Sequence, residues 1–393
     1  MMSKAKIIGV SMVKFAKPGA NEPYEVMGAK AIQGALNDAG IGYHEVEQAF
    51  ASYVYGDSTC GQRVAYSVGM TGIPVFNLNN YCASGSSALM LARQAVEAGI
   101  VECALAFGFE EMRPGALASA FGDRTSPVGW IYDRRLELAP DLPDDAPRAI
   151  KAFGSAGYHY IQHYRANPDI FARVAVKTRN HAMRNPYALF TKPMTVDEVM
   201  DAPQLYPHLT RLMACPPTCG AAAAIVCSDT FAKRHGINHA VEIAAQAMTT
   251  DTPASKEDLM ALVGSDMTRR AAQQVYEAAG IGPDDIDVIE LHDCFTPNEV
   301  ISYEGLGLCD EGGGEKFIHD GDNSYGGQFV INPSGGLMSK GHPLGATGLA
   351  QCAELVWHLR GQAGERQVEG ARVALQHNIG LGGACVVTMY RAA

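Results

Sequence analysis

The feature that most restricts the fold is a repeat within the chain. The segment Ala39-Gly40-Ile41-Gly42-Tyr43-His44-Glu45-Val46-Glu47 returns as Ala279-Gly280-Ile281-Gly282-Pro283-Asp284-Asp285-Ile286-Asp287, at a constant offset of 240 residues. Each copy follows a helical pattern, Ala29 to Ala39 and Ala271 to Ala279, and precedes an apolar strand, Ala49 to Val54 and Val288 to Leu291. A helix closed by glycine and followed shortly by a strand is an αβ unit. Two copies predict two similar α/β halves, and 393 residues are enough for two or three packed units. The competing explanation is a chance match of two short segments, and the shared flanking pattern argues against it. The 42 glycines suit many tight βα turns, because no low-complexity stretch accompanies them.

Residues 119–214 differ in character, being rich in Tyr, Pro, Arg and His with weak strand periodicity. They carry 12 Lys and Arg against 10 Asp and Glu, inside a chain whose net charge is −11. The overall charge argues against nucleic acid. The local reversal suits a surface that meets phosphates, and an ordinary solvated insertion fits it equally well. An apolar run resumes at Ala221 to Cys227 and reads as a buried strand.

Ten cysteines are scattered without paired spacing, and no His or Cys set completes Cys215 and Cys219 as a zinc site. Free thiols in a reducing compartment are expected. The N-terminus lacks the apolar core of a signal peptide, no run of about 18 apolar residues occurs, and the last residues are not of the Ser-Lys-Leu type. A cytoplasmic protein with no membrane span is the expectation.

Cys82 lies between an apolar run (Pro74 to Leu78), which reads as a buried strand, and a helical pattern of Leu89, Met90, Ala92 and Val96. At a strand-to-helix turn of small residues, free N–H groups and the helix dipole are expected to stabilise a thiolate. An inert buried cysteine fits the local pattern as well. His292 and Cys294 follow the second-half strand directly, at the end where open α/β sheets place functional groups. Two apart on an extended segment, they face the same way, although a lone His-x-Cys is more often structural. Gly341-His342-Pro343 forms a constrained turn ahead of the apolar helix Leu349 to Leu359. The glycine loop there is no Walker A sequence, and no clean Gly-x-Gly-x-x-Gly opens either half. An NTPase and a dinucleotide-dependent dehydrogenase are thereby excluded. Last, Asn378-Ile379-Gly380-Leu381-Gly382-Gly383 lets the backbone approach a ligand ahead of the strand Val386 to Tyr390, where Cys385 reads as core.

In this order, these four segments resemble the thiolase superfamily across essentially the whole chain. The similarity is greatest to the sterol-carrier-protein-2 thiolases, which carry His-Asp-Cys-Phe, as at 292–295 here, where most thiolases have Asn-Glu-Ala-Phe. The sterol-carrier domain of the eukaryotic fusion is not expected in a chain ending at Ala393. One departure is Asn378-Ile379-Gly380, where most thiolases have a reactive Cys-x-Gly. In the resembled subfamily the Cys of His-Asp-Cys-Phe takes over that role, which here is Cys294, and Cys385 lies too far along to replace it.

The resemblance implies an α/β thiolase fold. It has two duplicated halves with mixed five-stranded sheets in a layered αβαβα arrangement, residues 1–118 with 215–238 and residues 239–393, plus an inserted loop domain at 119–214. It implies an acyl-CoA C-acyltransferase of the acetyl-CoA or propanoyl-CoA type in lipid metabolism and fatty acid β-oxidation. Cys82 is then the nucleophile, His342 its base and Cys294 the second acid/base. His292 and His342 form one oxyanion site, and the backbone N–H groups of Cys82 and Gly380 form the other. No metal or tightly bound cofactor is implied; coenzyme A is a substrate, and a thiol with pKa of about 8.5 suits proton transfer near working pH. Arg134, Arg135, Arg173, Lys177, Arg179 and Arg184 are the basic residues expected to meet its phosphates. A homodimer or homotetramer is expected, paired along Pro74 to Leu78, and a small OB-fold partner is a further expectation. The alternatives are a retro-aldol lyase of side-chain acyl-CoA, a C-acetyltransferase to a non-CoA acceptor, and a non-catalytic acyl-CoA or lipid binder.

Overall fold

The computed structural model describes residues 4–392 apart from 116, 118 and 120, so the expected boundary at residue 118 lies outside the described residues. In chain order the strands are β1 (Ala5–Met12), β2 (Gln48–Ser52), β3 (Val75–Leu78), β4 (Cys103–Glu110), β5 (Gln204–Tyr206), β6 (Leu209–Thr210), β7 (Gly220–Ser228), β8 (Val241–Thr249), β9 (Val288–Glu290), β10 (Val330–Ile331), β11 (Val373–Gly380) and β12 (Ala384–Arg391). The first half orders its strands β3-β2-β4-β7-β1 and the second β10-β9-β11-β12-β8.

Their directions match as well. β2 runs parallel to β3 and β4, while β7 is antiparallel to β4 and β1. In the same pattern β9 is parallel to β10 and β11, while β12 is antiparallel to β11 and β8. The repeated segment closes equivalent helices: Tyr24–Ala39 ends at Gly40 with φ 70°, and Ser265–Ala279 at Gly280 with φ 64°. Left-handed geometry of this kind is what glycine provides at a helix end. The two sheets are also joined edge to edge, through Lys6 opposite Glu242 and Ile7 opposite Val241.

Helices Ser84–Glu97 and Thr347–Leu359 pack together between the sheets. Leu89, Ala92 and Val96 of one share a buried cluster with Leu349, Cys352 and Val356 of the other, and with Ala104, Ala224 and Ala374 of the strands. Helix Tyr24–Ala39 covers the outer face of one sheet, and Ser265–Ala279 that of the other. This is the layered αβαβα order. Between β4 and β7 the inserted segment forms helices Gly129–Leu138, Arg148–Tyr164 and Asp169–Ala182 and the β5–β6 hairpin. Its Phe153, Phe171 and Val174 pack with Val300 and Leu337 of the second half. β3 corrects one expectation: it is an outer edge strand rather than a buried one, and Phe76 is 48% exposed.

The central helices meet at their N-terminal ends, where small residues permit close approach. A Cβ on Gly348 would fall 2.3 Å from the Ser86 backbone nitrogen and 2.2 Å from its Oγ. Gly348→Ala must push the helices apart. It is expected to cost about 1–3 kcal/mol in denaturant unfolding and to lower activity, because Cys82 and His342 stand at those two ends.

Candidate active site

Cys82 is presented by a tight turn between β3 and its helix. The Tyr81 N–H donates to Asn79 Oδ1 at 2.9 Å, and the Asn80 N–H to Ser84 Oγ at 2.8 Å. These bonds hold Tyr81 at φ 53°, a left-handed conformation rare for a bulky side chain. The Gly380 backbone lies against the same turn, since a Cβ there would sit 2.1 Å from Asn80 O.

Cys82, His292, Cys294 and His342 line one cavity of about 680 Å³. The Cys82 sulfur and ring nitrogens of both histidines lie within 4.8 Å of one another. The two imidazoles meet edge to face, with centroids 5.1 Å apart. His342 Nδ1 is 2.7 Å from Thr347 Oγ1, whose own hydrogen goes to Pro343 O at 2.9 Å. The hydroxyl has a single hydrogen, so His342 Nδ1 carries its proton and Nε2 keeps a lone pair. Nε2 is buried and has no hydrogen-bond partner among the described residues.

Burial sets the charge state of every member. It lowers His342 to about 3 and takes His292 well below the usual range, where His342 and His377 lower it further. Both rings are neutral at neutral pH. Burial also pushes the Cys82 thiol well up, with Cys215 and Glu110 adding to the effect. The expectation of a dipole-stabilised thiolate is therefore corrected, because desolvation of the sulfur outweighs the backbone hydrogen bond. Cys294 is pushed up in the same way, by burial and then by Cys215 and Cys82. A thiol with an unperturbed pKa is thus not what occupies this position.

Cys215 is a third cavity thiol that the sequence did not single out. Its N–H donates to Cys294 O at 2.9 Å, beside the Ala214–Phe295 bridge, so long-range pairing places it there. Cys385 is buried near Thr268, away from the cavity lining.

The basic residues separate into groups. Arg135 is 1% exposed, bonded to Ser155, Pro143 O and Tyr206 and paired with Asp144; Lys177 is buried against Glu299. Both are removed from the expected phosphate contacts, since each side chain is buried and already paired with a carboxylate. Arg134 pairs with Glu137, Arg173 with Asp169, and Arg184 lies over Tyr325; none of them lines the cavity. Arg179 does line it, and its guanidinium stands 5.0 Å from the Phe190 ring centroid. Lys17 and Arg211 join it as exposed lining cations. Counting charge only over residues 119–214 missed Lys17.

Glu110 was also missed. It is 1% exposed and accepts from the N–H groups of Tyr55 (2.9 Å), Val54 (3.1 Å) and Gly345 (2.9 Å), tying the turn after His342 to the first half. Burial raises it from 4.5 to about 7, against the opposing pull of those N–H groups. The folded state therefore keeps a proton that the unfolded chain releases between those values. Stability from this group is full below pH 4.5 and is lost as pH rises to about 7, by roughly 3 kcal/mol. Glu110→Gln should abolish that slope in urea unfolding followed across the window, and lower turnover by displacing the His342 turn.

Two family models match the chain: the thiolase N-terminal domain over residues 5–205 and the thiolase C-terminal domain-like model over 245–390. The chain belongs to the thiolase family. It is 53% identical over 397 residues to Sterol carrier protein 2 of Gallus gallus, covering 99% of this chain and 72% of that protein. With the Acetyl-CoA acetyltransferase of Methanothermobacter thermautotrophicus it shares 33% over 396 residues, covering 99% of this chain and all of that one (100%). Among solved structures, the Ltp2-ChsH2(DUF35) aldolase superposes with a TM-score of 0.84 at 23% identity, over 100% of this chain and 99% of that chain, a likeness of fold.

Proposed function

We propose that this thiolase is an acyl-CoA C-acyltransferase that cleaves and forms 3-oxoacyl-CoA by Claisen chemistry. The observation that carries this reading is the convergence of the Cys82 and Cys294 thiols and two neutral imidazoles on one largely apolar cavity. The lone pair on His342 Nε2 takes the Cys82 proton, and the sulfur attacks the keto carbon. The N–H groups of Cys82 and Gly380 receive the resulting oxyanion. The Cα–Cβ bond then breaks, and the enolate oxygen of the departing acetyl-CoA, or of propionyl-CoA from a 2-methyl substrate, accepts hydrogen bonds from His292 and the now protonated His342.

Cys294, held as a thiol by burial, protonates the enolate carbon. Coenzyme A takes the acyl group from Cys82, its thiol proton restores Cys294, and His342 returns its proton to Cys82. No further cofactor is needed for this balance. Lys17, Arg179 and Arg211 are the cavity cations available to the phosphates of coenzyme A.

Acetoacetyl-CoA and CoA should yield acetyl-CoA, and absence of product from folded protein would refute the reading. Cys294→Ala should retain exchange of acetyl groups between acetyl-CoA and CoA, yet lose about 10²–10⁴ in carbon–carbon cleavage. The retro-aldol alternative draws on likeness of fold to an aldolase. It leaves the Cys82–Cys294 pair without a task, and it predicts cleavage that survives Cys82→Ala.

The reading includes pairing of two subunits along β3. An edge strand with an exposed phenylalanine is a ready site for isologous pairing. Phe76→Asp should lower the sedimenting mass and activity together, whereas an active wild-type species of 41.9 kDa would refute the pairing.

A further inference from the structure

A neutral imidazole offers one N–H and one lone pair. In the proposed reaction His292 stabilises the enolate only if its proton is on Nε2, and a chain of buried hydrogen bonds decides where that proton sits. The chain starts from backbone carbonyls, which only accept. Gln351 Nε2 donates to His377 O at 3.1 Å and Glu290 O at 3.5 Å, so its Oε1 faces Gln376 Nε2 at 3.4 Å. The two hydrogens of Gln376 Nε2 go to the nearer acceptors, Gly348 O at 2.7 Å and Ser86 Oγ at 2.8 Å, while its Oε1 accepts from the Tyr390 hydroxyl.

Ser86 Oγ, already an acceptor, sends its own hydrogen to Asn378 Oδ1 at 2.8 Å. The Asn378 amide nitrogen is thereby turned toward His292 Nδ1, 3.0 Å away. An amide nitrogen only donates, which leaves Nδ1 as the acceptor and puts the ring proton on Nε2. Gln351, Gln376, Ser86, Asn378 and Tyr390 are all fully buried, so water does not compete for these bonds.

From this geometry we infer that Ser86, Gln376 and Asn378 are positioning residues that lock His292 as the Nε2–H tautomer, with Tyr390 holding the far end. The two facing imidazoles then have opposite tautomers. Thr347 makes His342 a base toward Cys82, and the Asn378 relay makes His292 a donor. A protonated Nε2 suits an anionic oxygen and not a metal cation. Ser86 comes from the first half and the other two from β11 in the second, so the lock forms only when the halves are docked. Position 378 is where most of the resembled family has its second reactive cysteine, and here an amide orients a histidine instead.

The inference rests on the thiolase reading, and the test separates the two. In protein labelled with ¹⁵N-histidine, NMR should find His292 protonated at Nε2 and bare at Nδ1, its signals assigned by their loss in His292→Gln. Asn378→Asp keeps the shape but offers only acceptors. It should move the proton to Nδ1 and lower kcat for acetoacetyl-CoA cleavage by about 10²–10³. KM should stay within about threefold, and acetyl exchange between acetyl-CoA and CoA should continue, because that step uses the Cys82 and Gly380 N–H groups. Ser86→Ala, which frees the amide to turn, should show a smaller loss of the same kind. A wild-type His292 protonated at Nδ1, or an Asn378→Asp enzyme with full kcat, overturns the relay. Wild-type protein without acetyl exchange or cleavage overturns the thiolase reading instead.

Discussion

Contact between the two central helices governs most of what this protein does. Ser84–Glu97 begins just after Cys82, and Thr347–Leu359 just after His342. Each helix therefore delivers one reactive side chain at its N-terminal end, and packing the ends together brings sulfur and imidazole into one cavity. Gly348 against Ser86 sets how closely they come. Duplication explains the arrangement: two equivalent βα turns, one from each half, face each other across an interface, and each has specialised differently.

The same packing removes water, and the missing water decides protonation. In solution the thiols and imidazoles would titrate near neutrality. Burial drives the thiols upward and the histidines downward, so the resting site holds neutral groups with fixed hydrogens. Catalysis then depends on who donates and who accepts rather than on stored charge. Thr347 settles that for His342. Glu110 serves the same end more distantly, holding the His342 turn to the first half through the Gly345 N–H.

Much of this was legible in the residues. The Ala-Gly-Ile-Gly repeat marked equivalent helix ends, and the sheet orders of the two halves match strand for strand. Cys82, His292, Cys294 and His342 stood out because each occupies a turn or strand end bounded by small or constrained residues. What escaped depends on distance across the fold. Cys215 reaches the cavity through pairing with the Phe295 segment, and Glu110 is the last residue of an otherwise apolar strand. Charge counting placed Arg135 and Lys177 at a ligand, although both side chains are buried and already paired with carboxylates; a linear count cannot tell a solvated cation from a paired one. The Pro74 to Leu78 run looked buried from its apolar content, yet among the described residues β3 has a neighbour strand on one side only.

The proposed chemistry turns on Cys82 as the carrier of the acyl group between the two carbon skeletons. Rapid acid quenching of the protein with an acyl-CoA, followed by peptide mass spectrometry, measures this directly. A single acyl mass on Cys82 that disappears when CoA is added is the expected result. An acyl group found on Cys294 or Cys215, or turnover with no acylated cysteine at any quench time, would contradict it.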